Sequence, residues 1–350
     1  MSDAIIDLRS DTRSLPTEEM LRSVQTTALG DDSRDGDPTV IELEALAAEM
    51  MGKEAGLLNP SGTMSNLVAM RTHVEPGATT IVEESAHLYG AEIGGIAAAC
   101  GLLVLPVPGH HGAMDPDQLR FATKKIPTLF PSPGLVCLEN THNAAGGTVV
   151  PLDHMAESAA IAREAGLAVH LDGARIFNAS VALGEDATAI TRHADTVSFC
   201  LSKGLSAPIG SVLTGPKDFI HRARMVRRAY GGTLRQAGVI AAPGLVALRT
   251  LVDRLADDHR NARAFAEGAN AMDGLNVDLE SVQSNIVNLD VSGLGMDAAT
   301  FASHLDPRGV RGLPGLGSVV RFVTYRGISA EDIQRSLEVM GEMVSDAPWN

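Results

Sequence analysis

A lysine that follows an apolar segment is the first residue of this chain whose position suggests chemistry. Residues 196–201 are mostly apolar and strand-forming, and Ser202, Lys203 and Gly204 follow directly. Further Gly and Pro residues come next, so a buried strand is predicted to deliver Lys203 to a tight turn. Partial removal from water lowers the pKa of an ammonium group, and the resulting amine is a nucleophile suited to Schiff-base chemistry. A surface lysine whose stem packs on apolar neighbours is the alternative.

A second apolar segment ends in an aspartate. Residues 167–171 lead into Asp172, and Gly173 and Arg175 follow. Enzymes that use pyridoxal phosphate (PLP) need an Asp to keep the pyridine nitrogen protonated and a Lys to carry the aldehyde. An Asp at one strand end and a Lys about one strand later are expected to open on the same edge of a sheet. The alternative for Asp172 is an ordinary helix N-cap after a strand.

Six motifs in series resemble those of the threonine aldolase family. They lie at residues 7–12, 60–64, 139–143, 170–175, 201–204 and 235–238. The resemblance covers most of the chain and implies a fold-type I PLP enzyme grouped with the β-eliminating lyases. The implied fold is α/β, with a mostly parallel central sheet, helices on both faces and a smaller α+β C-terminal domain. The predicted divisions are an N-terminal arm and active-site loop at 1–38, a large PLP-binding domain at 39–245 and a small domain at 246–350.

The resemblance implies a carbon–carbon lyase that cleaves L-3-hydroxy-α-amino acids to glycine and an aldehyde. Threonine or allo-threonine, which yield acetaldehyde, are the default substrates. An aldolase for another substrate, such as 3-hydroxyaspartate or phenylserine, is an open alternative. A β-eliminating lyase or a transaminase could use the same Lys and Asp, and would release ammonia and a keto acid instead of glycine.

Three residues are predicted to be catalytic. By resemblance, Lys203 holds the cofactor covalently and His87 stacks on the pyridine ring. His142 is the main candidate for general acid/base catalysis, because imidazole titrates near neutral pH. Either His142 or His87 is expected to remove the proton of the β-hydroxyl group. A loop histidine that bonds the backbone is the alternative for His142.

Further side chains are expected to hold the cofactor and the substrate. A Ser-Gly-Thr sequence that opens a helix presents unpaired backbone N–H groups, which suit a phosphate. By resemblance, an arginine also reaches this phosphate, commonly across a dimer interface. The cofactor-binding set is Ser61, Gly62, Thr63, His87, Asp172, Arg175, Ser202, Lys203 and Arg235. The set that binds the substrate is Ser10, Arg34, Arg175 and Arg321.

Several residues depart from the family's pattern. Arg34 and Asp35 stand where the family usually has an aromatic residue and a glycine, and Tyr325 stands where a histidine is common. A positive charge at Arg34 suggests a substrate with an anionic side chain, such as 3-hydroxyaspartate. The alternative is a surface arginine paired with Asp32 or Asp35.

Composition limits the classes of partner. The chain has 350 residues and a net charge of -15, which argues against nucleic acid or an anionic membrane as the main partner. Its three cysteines are not closely spaced, so neither a disulfide framework nor a metal site is predicted. We find no signal peptide or membrane-spanning run and expect a cytoplasmic protein. The expected partners are a small-molecule amino acid and further copies of the chain, in a homotetramer with active sites shared across the dimer interface.

The C-terminal part has a different pattern from the rest. Alternating apolar and polar residues predict strands at 276–279, 285–291 and 319–324, which amphipathic helices at 297–305 and 330–344 would cover. A helical pattern from about residue 239 to residue 273 is predicted to connect this part to the large domain.

Overall fold

The computed structural model describes residues 5–92, 94–124 and 132–346. The helices are α1 (Glu18–Thr26), α2 (Pro38–Met50), α3 (Gly62–His73), α4 (His87–Gly90), α5 (Gly95–Cys100), α6 (Pro116–Ala122), α7 (Leu152–Glu164), α8 (Ile176–Leu183), α9 (Ala187–Thr191), α10 (Lys217–Ala229), α11 (Gly238–Thr250), α12 (Leu255–Asn270), α13 (Ala298–Leu305) and α14 (Ala330–Ser345). The strands are β1 (Ile6–Asp7), β2 (Ala55–Asn59), β3 (Thr79–Glu83), β4 (Leu103–Val107), β5 (Gly109–His110), β6 (Ala113–Met114), β7 (Pro133–Glu139), β8 (Ala168–Asp172), β9 (Thr196–Cys200), β10 (Ser211–Gly215), β11 (Ile286–Asp290), β12 (Val310–Arg311), β13 (Leu313–Pro314) and β14 (Val319–Val323).

The large part of the molecule is built on one sheet. Its strand order is β2-β10-β9-β8-β7-β3-β4. β10 is antiparallel to both of its neighbours, and the pairs from β9 to β4 are parallel. Because β7, β8 and β9 are adjacent and parallel, their carboxyl ends lie along the same edge of the sheet. The mostly parallel central sheet expected from the sequence is confirmed.

Helices cover both faces of this sheet. Leu57 and Leu213 pack with α3 and α10 in one apolar cluster, whereas their chain neighbours Leu58 and Val212 pack with α2 and α11 in another. Since successive side chains of a strand point to opposite faces, the two clusters lie on opposite sides of the sheet. The helix layers exclude water from the strands and leave the strand ends as the accessible edge.

The C-terminal part forms a smaller unit with its own core. β11, β14 and β13 make an antiparallel sheet, and α12, α13 and α14 pack against it around Phe265, Phe301 and Phe322. The start of the chain joins this unit, because β1 pairs with β12 and Ile6 lies in the same core. The N-terminal arm therefore runs from the small unit towards the edge of the central sheet.

One expectation for the C-terminal part is wrong. Residues 276–279 form no strand; Asn276 alone pairs, in an isolated bridge with Asp290. The Asp278 side chain accepts the backbone N–H of Glu280, and such local bonds favour a turn over a sheet. The helical pattern at 239–273 is confirmed and forms two helices, since α11 ends at Thr250 and α12 starts at Leu255. The predicted domain boundary after residue 245 falls inside α11.

No helix among residues 5–92, 94–124 and 132–346 has both the length and the hydropathy that a bilayer crossing requires.

Candidate active site

Asp172 is held at the carboxyl end of β8 in a buried position. Its Oδ1 accepts the backbone N–H of Ala174 at 3.0 Å, and its Oδ2 accepts the Asn66 side-chain amide at 3.0 Å. Helix α8 starts only at Ile176, so Asp172 is not its N-cap. An aspartate with both oxygens bonded and almost no solvent contact is fixed in place as an acceptor.

The orientation of Asn66 is set by a buried polar network beneath the site. Its Oδ1 accepts the Ser198 hydroxyl at 2.6 Å and lies 3.2 Å from His170 Nε2. Burial lowers the pKa of His170 to about 3, so this ring is neutral at physiological pH. With Oδ1 used as the acceptor, the Asn66 amide nitrogen must donate, and it points at Asp172 and at Glu92 Oε1, 3.1 Å away.

His87 begins the short helix α4, beside Glu92. Its Nδ1 lies 3.2 Å from Glu92 Oε1, and this hydrogen bond outweighs burial and raises the pKa of His87 above its ordinary value. Ligand-type atoms of His87, Glu92 and Asp172 lie within 4.8 Å of one another. A metal ion does not suit this group, because the Asn66 amide N–H groups point at both carboxylates and would repel a cation.

Lys203 lies in the turn that follows β9. Its backbone carbonyl accepts the Ser14 hydroxyl at 2.7 Å and the Ser206 N–H at 2.8 Å. The side chain is half-buried, and its ammonium group has no hydrogen-bond partner among the residues that the structure describes. The predicted strand-end lysine is therefore present, with a fixed backbone and an unengaged amine. Ser202 beside it makes only a long contact, 3.5 Å to the Gly210 carbonyl.

Arg175 is buried and already paired within the protein. Its Nε and Nη2 donate to the two carboxylate oxygens of Asp11 at 2.6 and 2.7 Å. Burial would raise the pKa of Asp11, but the Arg175 guanidinium holds it well below its usual range. Ser10, the residue before Asp11, accepts the Thr12 N–H and hydroxyl at 3.2 and 2.8 Å. The N-terminal arm thus contributes a carboxylate that neutralises Arg175.

Arg321 lacks such a counter-charge. Its Nη2 donates to Asn143 Oδ1 at 2.9 Å, and the same oxygen accepts Arg175 Nη1 at 3.0 Å. Its Nε is buried without a partner among the described atoms. Burial, together with repulsion from Arg175, lowers the pKa of Arg321 to about 10. An arginine in this state favours an added carboxylate, which would supply the missing negative charge.

His142 lies away from solvent in the loop after β7. The side chain is 0% exposed, its Nδ1 accepts the Ala145 N–H at 3.3 Å, and its Nε2 lies 3.0 Å from Glu83 Oε2. Burial would lower the pKa of His142, but the neighbouring carboxylates of Glu83 and Glu139 raise it. The contact of Nε2 with Glu83 is a close charge contact, and this nitrogen makes no hydrogen bond of good geometry among the described residues. The catalytic role of His142 stays a prediction.

The Ser-Gly-Thr segment opens α3 beside the end of β9. The Ser61 hydroxyl caps the helix by accepting the Met64 N–H at 3.2 Å. The N–H groups of Gly62 and Thr63 belong to the first turn of this 12-residue helix and face outwards. A Cβ on Gly62 would lie 2.7 Å from Cys200 Sγ, so any larger residue would require the sulfur or the first turn of the helix to shift.

Arg34 and Arg235 lie together on an exposed surface. Arg34 is 77% exposed with Nε 3.9 Å from Asp31, and Arg235 is 66% exposed beside Ser33 and Asp31. The alternative for Arg34 is a surface arginine that pairs with Asp32 or Asp35. Arg34 does lie on the surface, but the carboxylate near it is that of Asp31. Among the described residues, a single chain brings neither arginine into contact with Lys203 or Asp172.

Several residues that support the site were not predicted. Glu139 accepts the backbone N–H groups of His87 and Asn143 at 2.6 and 2.7 Å and so connects their two loops. Asp11, Asn66 and Asn143 likewise had no predicted role. The one feature of the sequence that could have indicated these supporting residues is the clustering of polar residues at strand ends and inside the motifs.

This architecture is that of the fold-type I PLP-dependent enzymes, in which a large α/β unit carries a smaller α+β unit. A family model for β-eliminating lyases matches residues 7–292. Low-specificity L-threonine aldolase 1 of Arabidopsis thaliana is 38% identical over 337 residues, covering 95% of this chain and 94% of that protein. The low specificity L-threonine aldolase of Escherichia coli is 39% identical over 335 residues, covering 94% and 96%.

A solved structure supports the same assignment at the level of the fold. The threonine aldolase of Leishmania major superposes with a TM-score of 0.83 at 20% identity, covering 97% of this chain and 99% of that chain. The chain belongs to the β-eliminating lyase family, and its nearly full-length relatives there include threonine aldolases. The resemblance stated from the sequence motifs is confirmed.

Proposed function

We propose that this protein is a PLP-dependent aldolase that cleaves L-threonine or L-allo-threonine to glycine and acetaldehyde. The observation that carries the proposal is the placement of Lys203 and Asp172 at the ends of adjacent parallel strands. Lys203 offers an amine without a partner among the described residues, and Asp172 offers a fixed, buried carboxylate. The substrate class comes from the relatives of similar length, which are named low-specificity threonine aldolases.

The residues at this edge fit PLP. Lys203 would hold the cofactor through its amine, Asp172 would accept a hydrogen bond from the pyridine nitrogen, and the start of α3 with Ser61, Gly62 and Thr63 would receive the phosphate. The absence of a side chain at Gly62 supports this fit, since it lets the first turn of α3 pack closely on Cys200 at the end of β9, the strand that leads to Lys203. When bound, PLP supplies an electron sink for the electron pair left at Cα.

The substrate carboxylate is assigned to Arg321 and its neighbours. Arg321 has the uncompensated charge and a buried Nε without a described partner, whereas Arg175 is neutralised by Asp11. Asn143 Oδ1 contacts both guanidinium groups, as a carboxylate oxygen of the substrate would. We therefore propose that Arg321 supplies most of the attraction and that Arg175 and Ser10 orient the bound group.

His87 is the better placed of the two histidines to remove the β-hydroxyl proton. When its Nδ1–H donates to Glu92, its Nε2 retains an unused lone pair, whereas His142 Nδ1 accepts the Ala145 N–H and His142 Nε2 lies against the Glu83 carboxylate. His87 is also partly exposed, and His142 is fully buried. Loss of the hydroxyl proton allows the Cα–Cβ bond to break with its electron pair left at Cα. One proton then returns to Cα, so glycine and the aldehyde together contain all the atoms of the substrate.

We further propose a homo-oligomer in the cytoplasm. Arg235 and Arg34 lie outside the single-chain site, so a second copy is needed if Arg235 is to reach a phosphate bound at α3. The three cysteines are buried and unpaired, which suits a reducing compartment.

The test is an assay of cofactor and products on the purified protein. We expect visible absorbance with PLP, borohydride fixation of the cofactor at Lys203 by peptide mass, and equal release of acetaldehyde and glycine from L-threonine or L-allo-threonine. Lys203→Ala should abolish all three, and Lys217→Ala, at an exposed lysine, serves as the matched control. Ammonia with 2-oxobutanoate as products would instead support a β-eliminating lyase.

A further inference from the structure

We infer that the hydrogen bond from Arg326 to Ser206 positions the Lys203 turn relative to the strand that carries Arg321. The role rests on the proposed function of Lys203 as the residue that holds the cofactor. Neither Ser206 nor Arg326 would touch a reacting atom, so both are positioning residues.

The backbone of Ser206 is the first observation. Its φ is 63°, in the left-handed region that favours glycine, and its side chain is 0% exposed. Among the described residues, His111 is the one other non-glycine residue with a positive φ. A glycine would make this turn more easily, so the presence of a serine needs a reason other than the turn itself. The reason must lie in the hydroxyl group, because the rest of the side chain adds only strain.

The partner of that hydroxyl group is the second observation. Arg326 Nε donates to Ser206 Oγ at 3.1 Å, and Arg326 Nη2 donates to the Leu15 carbonyl. The Lys203 carbonyl accepts bonds from Ser206 N–H and from the hydroxyl of Ser14, the neighbour of Leu15. One guanidinium group therefore connects to both segments that hold the Lys203 backbone.

From Ser206, the hydrogen bond to Arg326 leads on to the site proposed for the substrate carboxylate. Arg326 follows β14, which contains Arg321. The chain between them is fixed, since Thr324 Oγ1 donates to the Asp258 carbonyl at 2.6 Å and Tyr325 OH to the Asp7 carbonyl at 2.9 Å. The distance between the Lys203 amine and the Arg321 guanidinium is thus set by a short, bonded path from the large unit to the small one. An amino acid held at both ends needs that distance to be constant.

The distinguishing variants are Ser206→Gly, Arg326→Gln and their combination. Ser206→Gly removes the hydroxyl group and relieves the backbone, so its Tm should equal or exceed that of the parent while kcat/KM for L-threonine falls. We expect a fall of about tenfold, the size of one hydrogen bond from a charged donor. Arg326→Gln should cause a similar fall, and the double variant should be no worse than the poorer single one, because both remove the same contact.

Two control variants separate positioning from general effects. His111→Gly relieves the other positive φ, and Arg260→Gln removes an exposed arginine that lines the same groove as Arg326. Neither should change kcat/KM by more than about twofold, within the range of an ordinary surface change. Covalent cofactor at Lys203, measured by borohydride fixation, should remain present in every variant.

Hydrogen exchange tests the inference without an assay of enzyme activity. Hydrogen exchange of peptides spanning 202–207 should become faster in Ser206→Gly and in Arg326→Gln, and stay unchanged in the two controls. Unchanged exchange, additive losses in the double variant, or a Ser206→Gly enzyme with parental kcat/KM would overturn the inference. A parent protein with no cofactor at Lys203 would contradict the proposed function, and the exchange result would still decide whether the contact holds the turn.

Discussion

The charges of the candidate site are set by pairs of residues that come from distant parts of the chain. Arg175 and Asp11 are 164 positions apart, and their buried ion pair leaves the neighbouring Arg321 guanidinium group without a carboxylate partner among the described residues. His87 is paired with Glu92, only five positions away. In the proposed function, the first pair would direct a negatively charged substrate to Arg321, and the second would prepare an imidazole to exchange a proton.

The pH dependence of catalysis should report the His87–Glu92 pair. The bond to Glu92 raises the pKa of His87, so Glu92→Gln should lower that pKa. Because the proposed base must be neutral to accept a proton, the acidic limb of the kcat/KM profile should move to lower pH in this variant. Glu84→Gln, at an exposed glutamate nearby, is the control and should leave the limb in place. A proton NMR titration of His87 checks the shift without an assay, and an unmoved titration would contradict the assignment.

The Asp11–Arg175 pair makes a prediction about stability. Asp11→Asn leaves the buried Arg175 charge without its counter-ion, which should lower the free energy of unfolding at pH 7 by about 3 kcal/mol. The pKa of Asp11 is depressed in the folded state, so its contribution is complete above the unfolded pKa of about 4 and is lost as the pH falls below that value. Urea unfolding at several pH values should therefore show the variant and the parent converging only under acidic conditions.

For single residues, the sequence identifies which residue types belong to the site better than it identifies their ion-pair and hydrogen-bond partners. Motifs gave Lys203 and Asp172, and the structure places both at the same sheet edge. The pairing of Asp11 with Arg175 was not predictable, because a carboxylate in a polar N-terminal motif carries no mark of which guanidinium group it meets. The burial of His142 was equally hidden, since it depends on how Glu83 and the 109–114 hairpin pack over the loop.

Elements position the site by bringing their ends together. α3 contributes its first turn, β7, β8 and β9 contribute residues at or just after their carboxyl ends, and the N-terminal arm crosses to Lys203 through Ser14. The apolar runs behind these strands were readable from the sequence because buried strands leave a strong signal. The false strand at 276–279 had the same alternation but lacked a partner of sufficient length, and pairing is not encoded locally.

The close approach of α3 to β9 gives a prediction at the level of elements. In Gly62→Ala the new methyl group would press on Cys200 Sγ and displace the first turn of the helix that is proposed to receive the phosphate. We expect PLP affinity to fall by at least about tenfold, since a hydrogen-bonded anion at a helix N-terminus tolerates little displacement. Adding Cys200→Ala removes the obstructing sulfur and should restore most of the affinity, measured by fluorescence titration of the cofactor. A double variant as weak as the single one would show that the contact is not the cause.

The whole molecule consists of two units that share the site. Lys203 and Asp172 belong to the central sheet, Arg321 belongs to the small unit, and the N-terminal arm spans both. The exposed arginines at 34 and 235 do not reach this group within one chain. A third contribution, from a second copy, would complete the set of residues that the sequence motifs implied.

Co-expression of two inactive variants tests this shared arrangement. Lys203→Ala lacks the cofactor lysine, and Arg235→Ala lacks the proposed phosphate contact, so each should lose most of its activity alone. If Arg235 acts across the interface, a mixed dimer has one site with both residues intact and one site with neither. Random assembly then gives about a quarter of the parental activity per subunit, because half of the dimers are mixed and each has one working site.

The control combines two substitutions at residues that are both assigned to the site of a single chain. Lys203→Ala co-expressed with Asp172→Ala should show no recovery if both residues act within one chain, as the adjacent strands β8 and β9 indicate. Sedimentation of the parent protein should show dimers or larger assemblies. Recovery in the control pair would contradict the placement of Lys203 and Asp172 in one chain's site. No recovery in the Lys203→Ala and Arg235→Ala pair despite mixed dimers would place Arg235 in its own chain's site or outside the site altogether.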